Sequence, residues 1–182
     1  MKLSIGCGPV NFGDDWIHVD GGDYPHLDSK DIVNLEKYED DTFEVVYASH
    51  VLEYFDREEV LVVLKEWSRI LKPGGKLRLA VPDFTEMVKL YLEEGYNLES
   101  FLGPLYGKMP MGDETIYHKT TYDFWSLEEV LLSVGFTNVD RYNWRDYPVH
   151  VKHDDCSQAY LPKMDKENGT LISLNVEATL WV

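Results

Sequence analysis

The chain has 182 residues, 44% of them hydrophobic, enough for the core of one domain of ordinary size. Its net charge of −16 and pI near 4.6 set a field that repels phosphate backbones, which excludes nucleic acid as a favoured partner. No apolar run approaches the roughly 18 residues of a membrane span, and two cysteines, Cys7 and Cys156, make no disulfide framework.

A strand is expected to begin at Lys2, which leaves no room for a signal peptide, so a cytoplasmic setting is expected. The first half alternates short apolar runs with loops: KLSIG, WIHVD, DIVNL and FEVVYAS, each with the length and composition of a buried strand. In DREEVLVVLKEWSRILKPGG the period changes to that of a helix. Val60, Leu61, Val63, Leu64, Trp67, Ile70 and Leu71 share one side, Asp56 and Glu59 form a cap pair, and Pro73-Gly74-Gly75 ends it. KLRLAVP (76–82) reads as the next strand and DFTEMVKLYLEEG as a helix capped by Asp83 and Glu86. SLEEVLLSVGF reads as another, capped by Ser126 and Glu129 and ended by Gly135. TNVDRYNW (137–144) and TLISLNVEATLWV read as two final strands. With no helix read between them, they are expected to pair antiparallel at a sheet edge. Segments 96–122 and 145–170 read as irregular, and loops that long are usually functional. The sum is a single α/β domain spanning residues 1–182.

In open α/β sheets ligands bind beyond the carboxyl ends of the strands. Gly6, Cys7, Gly8, Asp20, Gly21, Asn34, Leu35, Ala48, Ser49, His50, Asp83 and Phe84 all fall at or next to such ends. Gly6 and Gly8 allow a sharp turn with close approach of the backbone to a ligand. The dinucleotide fingerprint needs a third glycine opening a helix, but position 11 is Asn and PVNFGDD is a poor helix. Asp20, ending the second run, is placed to accept from ribose hydroxyls. The two features together point to an adenosine ligand without a pyrophosphate.

The quoted segments LSIGCGP with WIHVD, DTFEVVYASHVLEYF, LKEWSRILKPGGKLRLAVPDF and SLEEVLLSVGF resemble, in order, a class I S-adenosylmethionine-dependent methyltransferase of the type 11 kind. The resemblance implies a Rossmann-like seven-stranded sheet with an antiparallel C-terminal hairpin. Its helix after the first strand is here reduced or lost. It implies S-adenosylmethionine as cofactor and S-adenosylhomocysteine as product. It makes Asn34 the stand-in for the usual adenine-contacting aspartate. It also implies that N-terminal helices found in larger relatives are replaced as a cover, by the 96–122 segment or by a second subunit in a homodimer. The departures are Ser4 two before the first glycine, Pro9 after the turn, Phe43-Glu44, and Leu52-Glu53-Tyr54 where Leu-Glu-His is common.

On that reading His50 and His118 are the candidate bases. Asp83, Phe84, Tyr106, Tyr117 and His118 are candidate substrate contacts. Trp144 is placed in the acceptor pocket, and Trp125 in the core. Cys7 reads as a small turn residue. His150, His153, Asp154 and Asp155 lie close in sequence, but their expected role is a solvated loop and no metal is assigned. The expected function is methyl transfer to a small-molecule, glycan or lipid-linked acceptor, with oxygen preferred. The rivals are a non-catalytic cofactor-binding protein and, disfavoured by the missing third glycine, a nicotinamide enzyme.

Overall fold

The structure is a computed structural model that describes residues 1–153 and 158–181. In chain order its elements are β1 (Lys2–Ile5), β2 (Trp16–Val19), β3 (Phe43–Ser49), α1 (Glu59–Ile70), β4 (Leu71–Pro82), α2 (Phe84–Glu93), α3 (Glu99–Tyr106) and β5 (Met109–Met111). There follow β6 (Glu114–Ile116), α4 (Phe124–Ser133), β7 (Phe136–Arg141), α5 (Pro148–Lys152), β8 (Tyr160–Leu161), β9 (Thr170–Leu171) and β10 (Ser173–Leu180). Six of the strands form one sheet in the order β2-β1-β3-β4-β10-β7. The first four run parallel, and β10 lies antiparallel to both β4 and β7, as expected of the C-terminal pair.

One face of the sheet is covered by α1 and α4. Val60, Val63, Leu64, Trp67 and Ile70 of α1 and Leu127 and Leu131 of α4 pack on Leu3, Ile5, Val46, Leu77, Leu79 and Val176. Leu61 turns outward instead of joining that face. The other face has no helix after β1. Phe12, from the connector, packs with Trp16, Val45 and Tyr47, and Val149 of the short α5 closes over them. A third cluster of Met87, Leu90, Phe101, Leu161 and Ile172 fastens α3 and the β8–β9 region against α2.

Several expectations are corrected. DIVNL is not a strand, so the sheet has six strands rather than seven; only a bridge between Val19 and Ser29 marks the edge. Its backbone donors are taken by side chains. Asp31 Oδ1 accepts from Val33 and Asn34 N–H at 2.9 and 2.8 Å, and Glu66 Oε1 from Leu35 N–H at 2.9 Å. The helix in SLEEVLLSVGF starts earlier, with Asp123 as N-cap and Ser126 as its capping-box partner. Asp56 and Glu59 do exchange reciprocal bonds, at 2.9 and 2.8 Å, while Asp83 caps α2 alone and Glu86 turns to Lys89. Segment 96–122 contains α3 and the β5–β6 hairpin, and 145–170 contains α5 and β8. Trp125 is not core but 73% exposed.

Candidate active site

The glycine turn follows β1. Gly6 and Gly8 have φ of +69° and +55°, the left-handed region where a side chain is strained. A Cβ on Gly6 would stand 2.2 Å from Val51 Cγ2. Asp20, at the end of β2, ties this turn to the next one. Its Oδ2 accepts from Gly8 N–H at 2.8 Å and its Oδ1 from Gly22 N–H at 2.7 Å. Above the two turns lies a cavity of about 580 Å³, lined by Gly6, Cys7, Gly8, Asp20, Gly21, Ser49 and His50 of the expected residues, with Asp23, Tyr24 and Ile32 beside them. The β5–β6 hairpin forms its opposite wall through Met109, Met111 and Ile116. Burial, and then the charge of Asp20, push the Cys7 thiol up to about 12, so it stays protonated and unreactive.

Three expected residues stand elsewhere. Asn34 is exposed on the α1 side, beside Val62 and Lys65, and accepts from Glu36 N–H. Leu35 and Ala48 are buried in the core.

A second cavity, of about 860 Å³, adjoins the first and shares His50, Tyr54 and Met109 with it. Tyr96, His118, Tyr160, Leu161 and Ile172 give it an aromatic and aliphatic lining, with Lys108 and Lys163 among its charged groups. His50 follows β3 with φ of +52°. Its Nδ1 lies 2.8 Å from Glu53 Oε1, and its Nε2 lies 2.9 Å from the Ser173 hydroxyl. His118 Nδ1–H donates to the Pro104 carbonyl at 2.9 Å, and its Nε2 stands 3.9 Å from the same Glu53 oxygen. The two candidate bases therefore converge on one carboxylate. Burial, and next the Glu53 charge, hold the Tyr54 and Tyr122 phenols above their ordinary value.

Asp83, Phe84, Tyr106 and Tyr117 line neither large cavity. Asp83 caps α2 and receives Arg141 Nη1–H at 2.9 Å. Phe84 borders a small apolar groove between α2 and α3, while Tyr106 and Tyr117 are exposed. Trp144 is buried, and its Nε1–H donates to Tyr160 Oη at 3.1 Å rather than opening on the pocket. Glu53 was not among the expected site residues. The departure at Leu52-Glu53-Tyr54 was its only signal. On the far face, His18 accepts from Phe12 N–H at 2.9 Å, and burial, then His26 and His153, lower it to about 4. His150 is buried among Phe12, Trp16 and Tyr47, so a solvated loop is the wrong description of it. Asp154, Asp155 and Cys156 lie outside the described residues. Among the described residues no group of three His, Cys, Asp or Glu is placed to hold a metal, and no helix is long and apolar enough to cross a membrane.

Comparison with known proteins adds to this geometry. The type 11 methyltransferase-domain family model matches residues 18–79. A demethylmenaquinone methyltransferase of Staphylococcus haemolyticus is 29% identical over 126 residues, 63% of this chain and 48% of that protein. The chain thus spans about half the length of the curated relative it matches. Among solved structures, an S-adenosylmethionine-dependent methyltransferase from Archaeoglobus fulgidus superposes with a TM-score of 0.58 at 15% identity, covering 98% of this chain and 85% of that one. A Burkholderia thailandensis 1,6-didemethyltoxoflavin N1-methyltransferase, solved with its substrate and S-adenosylhomocysteine, superposes at 0.56 and 12% identity, covering 100% of this chain and 71% of that one. The chain thus has the fold of S-adenosylmethionine-dependent methyltransferases, and over residues 18–79 it is similar to the type 11 methyltransferase-domain family.

Proposed function

We propose that the chain transfers a methyl group from S-adenosylmethionine to a hydroxyl of a small-molecule acceptor seated in the larger cavity. The observation that carries the reading is the junction: two cavities, each of a size that holds a ligand, meet at His50, Tyr54 and Met109.

The smaller cavity fits the cofactor. Asp20 and Asp23 are its acidic side chains, and no lysine or arginine lines it among the described residues. That lining suits a ligand bearing a sulfonium and an ammonium and opposes the pyrophosphate of a dinucleotide. The bare turn at Gly8 leaves open space for close approach, and Asp20 keeps lone pairs for hydroxyls beyond its two amide bonds. When bound, the cofactor supplies a methyl already activated by positive charge. What remains for the protein is positioning and removal of a proton. Tyr54, Tyr96 and Tyr160 offer flat apolar surface to an acceptor body, and His50 stands at the junction to take the proton of its hydroxyl.

Calorimetric titration with S-adenosylhomocysteine, with NADH as control, tests the cofactor half. Binding of the former alone is expected. Transfer of labelled methyl from S-adenosylmethionine to hydroxylated aromatic acceptors tests the rest. Binding without transfer to any such acceptor would replace this reading with that of a cofactor-binding protein.

A further inference from the structure

The two cavities differ in the sign of their charge. Around the larger one Lys108 and Lys163 are the cations and Glu99 is the carboxylate. The smaller has Asp20 and Asp23 and no lysine or arginine among the described residues. Glu53 is buried and not in either lining; His50 and His118, which stand 2.8 and 3.9 Å from it, face the larger cavity in its place. In a chain with 33 acidic and 17 basic side chains, a pocket with two lysines to one acid runs against the field of the whole protein.

The three charges are not equivalent. Glu99 stands in the first turn of α3, where the helix dipole favours a carboxylate, so the fold itself accounts for it. The lysines have no such duty. Lys30, Lys37, Lys72, Lys89 and Lys119 each meet a carboxylate oxygen at 2.8–3.3 Å. Lys108 and Lys163 meet none among the described residues, although acids outnumber bases. Lys108 also holds a φ of +139°, in the region where an L side chain is strained, and strain of that kind gathers at functional sites.

We propose that the acceptor carries a carboxylate on its aromatic or apolar body, and that Lys108 and Lys163 select it; this rests on the function proposed above, which seats the acceptor in this cavity. The hydroxyl receives the methyl group and the carboxylate is the handle. Two ammonium groups against one carboxylate leave a single positive charge, which a monoanion matches. A phosphate monoester, close to a dianion at neutral pH, leaves negative charge over. A neutral acceptor leaves both ammonium groups without a partner. The anion is held from two segments, the α3–β5 turn that carries Lys108 and the β8–β9 connection that carries Lys163. Tyr54, Tyr96, Leu161 and Ile172 receive the body, and the lysine stems extend that apolar surface while their heads reach the charge.

The test holds the body constant and changes the handle. A hydroxynaphthoate, the matching hydroxynaphthamide and the matching hydroxynaphthyl phosphate are titrated into the full chain, and binding is read from naphthyl fluorescence, so no turnover is needed. The carboxylate is expected to bind about tenfold tighter than the amide, and tighter than the phosphate. That margin is expected to shrink in about 1 M salt, where the screening length falls to about 3 Å. Lys108→Met and Lys163→Met keep an apolar stem. Each is expected to weaken carboxylate binding about three- to tenfold and to leave the amide within about twofold. Both positions are exposed, so the wild-type melting temperature is expected to be kept, and Lys108→Gln and Lys163→Gln are read beside them as a second pair. An amide that binds as tightly as the carboxylate overturns the proposal, as does a margin that survives loss of both lysines, a phosphate that binds tightest, or binding of none of the three. Titration with S-adenosylhomocysteine separates the two readings. Lysine-dependent carboxylate binding without S-adenosylhomocysteine binding defeats methyl transfer and leaves the anion site standing. S-adenosylhomocysteine binding with no carboxylate margin defeats this proposal alone.

Discussion

The two cavities that meet at His50 are built in opposite ways. The smaller is made from backbone: two glycine turns, the carboxylate that ties them together, and the ends of parallel strands. The larger is made mainly from side chains on segments added around the sheet, α3 and the β8 region, fastened by their own hydrophobic cluster, while the β5–β6 hairpin walls the smaller and reaches the larger through Met109. The first can be changed little without losing its shape. The second can be relined residue by residue, as suits a site that must be fitted to one acceptor among many.

This contrast can be broken at its junction. His50→Asn keeps a residue that tolerates the left-handed backbone but removes the base. Turnover is expected to fall about 10²–10⁴-fold while S-adenosylhomocysteine affinity stays within about twofold, as read by steady-state kinetics and calorimetry. Equal losses in both would mean that His50 belongs to the cofactor wall alone. Asp20→Ala strikes the backbone-built side by stranding two partly buried amides. It is expected to cost about 2–4 kcal/mol in denaturant unfolding and to weaken cofactor binding on the order of a hundredfold.

Acid should reach the sheet's far face next. His18 is held neutral, with a folded value of about 4 against 6.5 for an unperturbed histidine. Between those values the unfolded chain binds more protons. The stability it contributes is complete above about pH 6.5 and is lost as pH falls toward about 4, by on the order of 2 kcal/mol. His18→Gln should flatten that limb of the pH–stability curve. The smallest effect sharpens the boundary of the site. Asn34→Ala should leave cofactor affinity unchanged within about twofold, because Asn34 faces α1 and not the cavity.

Where sequence reading succeeded, a local pattern carried the structure. The first two strands, the glycine turn between them and the helix from Glu59 each follow from residues within a few positions of one another. Where it failed, side-chain hydrogen bonds or distant residues decided. DIVNL has the composition of a strand, yet Asp31 and Glu66 take its amides before a sheet can. The helix at Glu99–Tyr106 is masked by Gly103 and Pro104, residues that argue against one, and holds because Phe101 packs on Met87 and Leu90. Glu53 looks like any surface acid in a short turn. Only the return of residues 118–120 across it, and of Ser173 beside His50, shows that it is enclosed.

Met109 belongs to the lining of both cavities. A ligand that shifts this side chain on one side changes the shape offered on the other, with no second conformation of the sheet required. Thermodynamic linkage then demands reciprocity. Whatever factor the cofactor imposes on the affinity for the acceptor, the acceptor imposes on the affinity for the cofactor, and Met109 is one of three shared side chains, with His50 and Tyr54, through which that factor can pass.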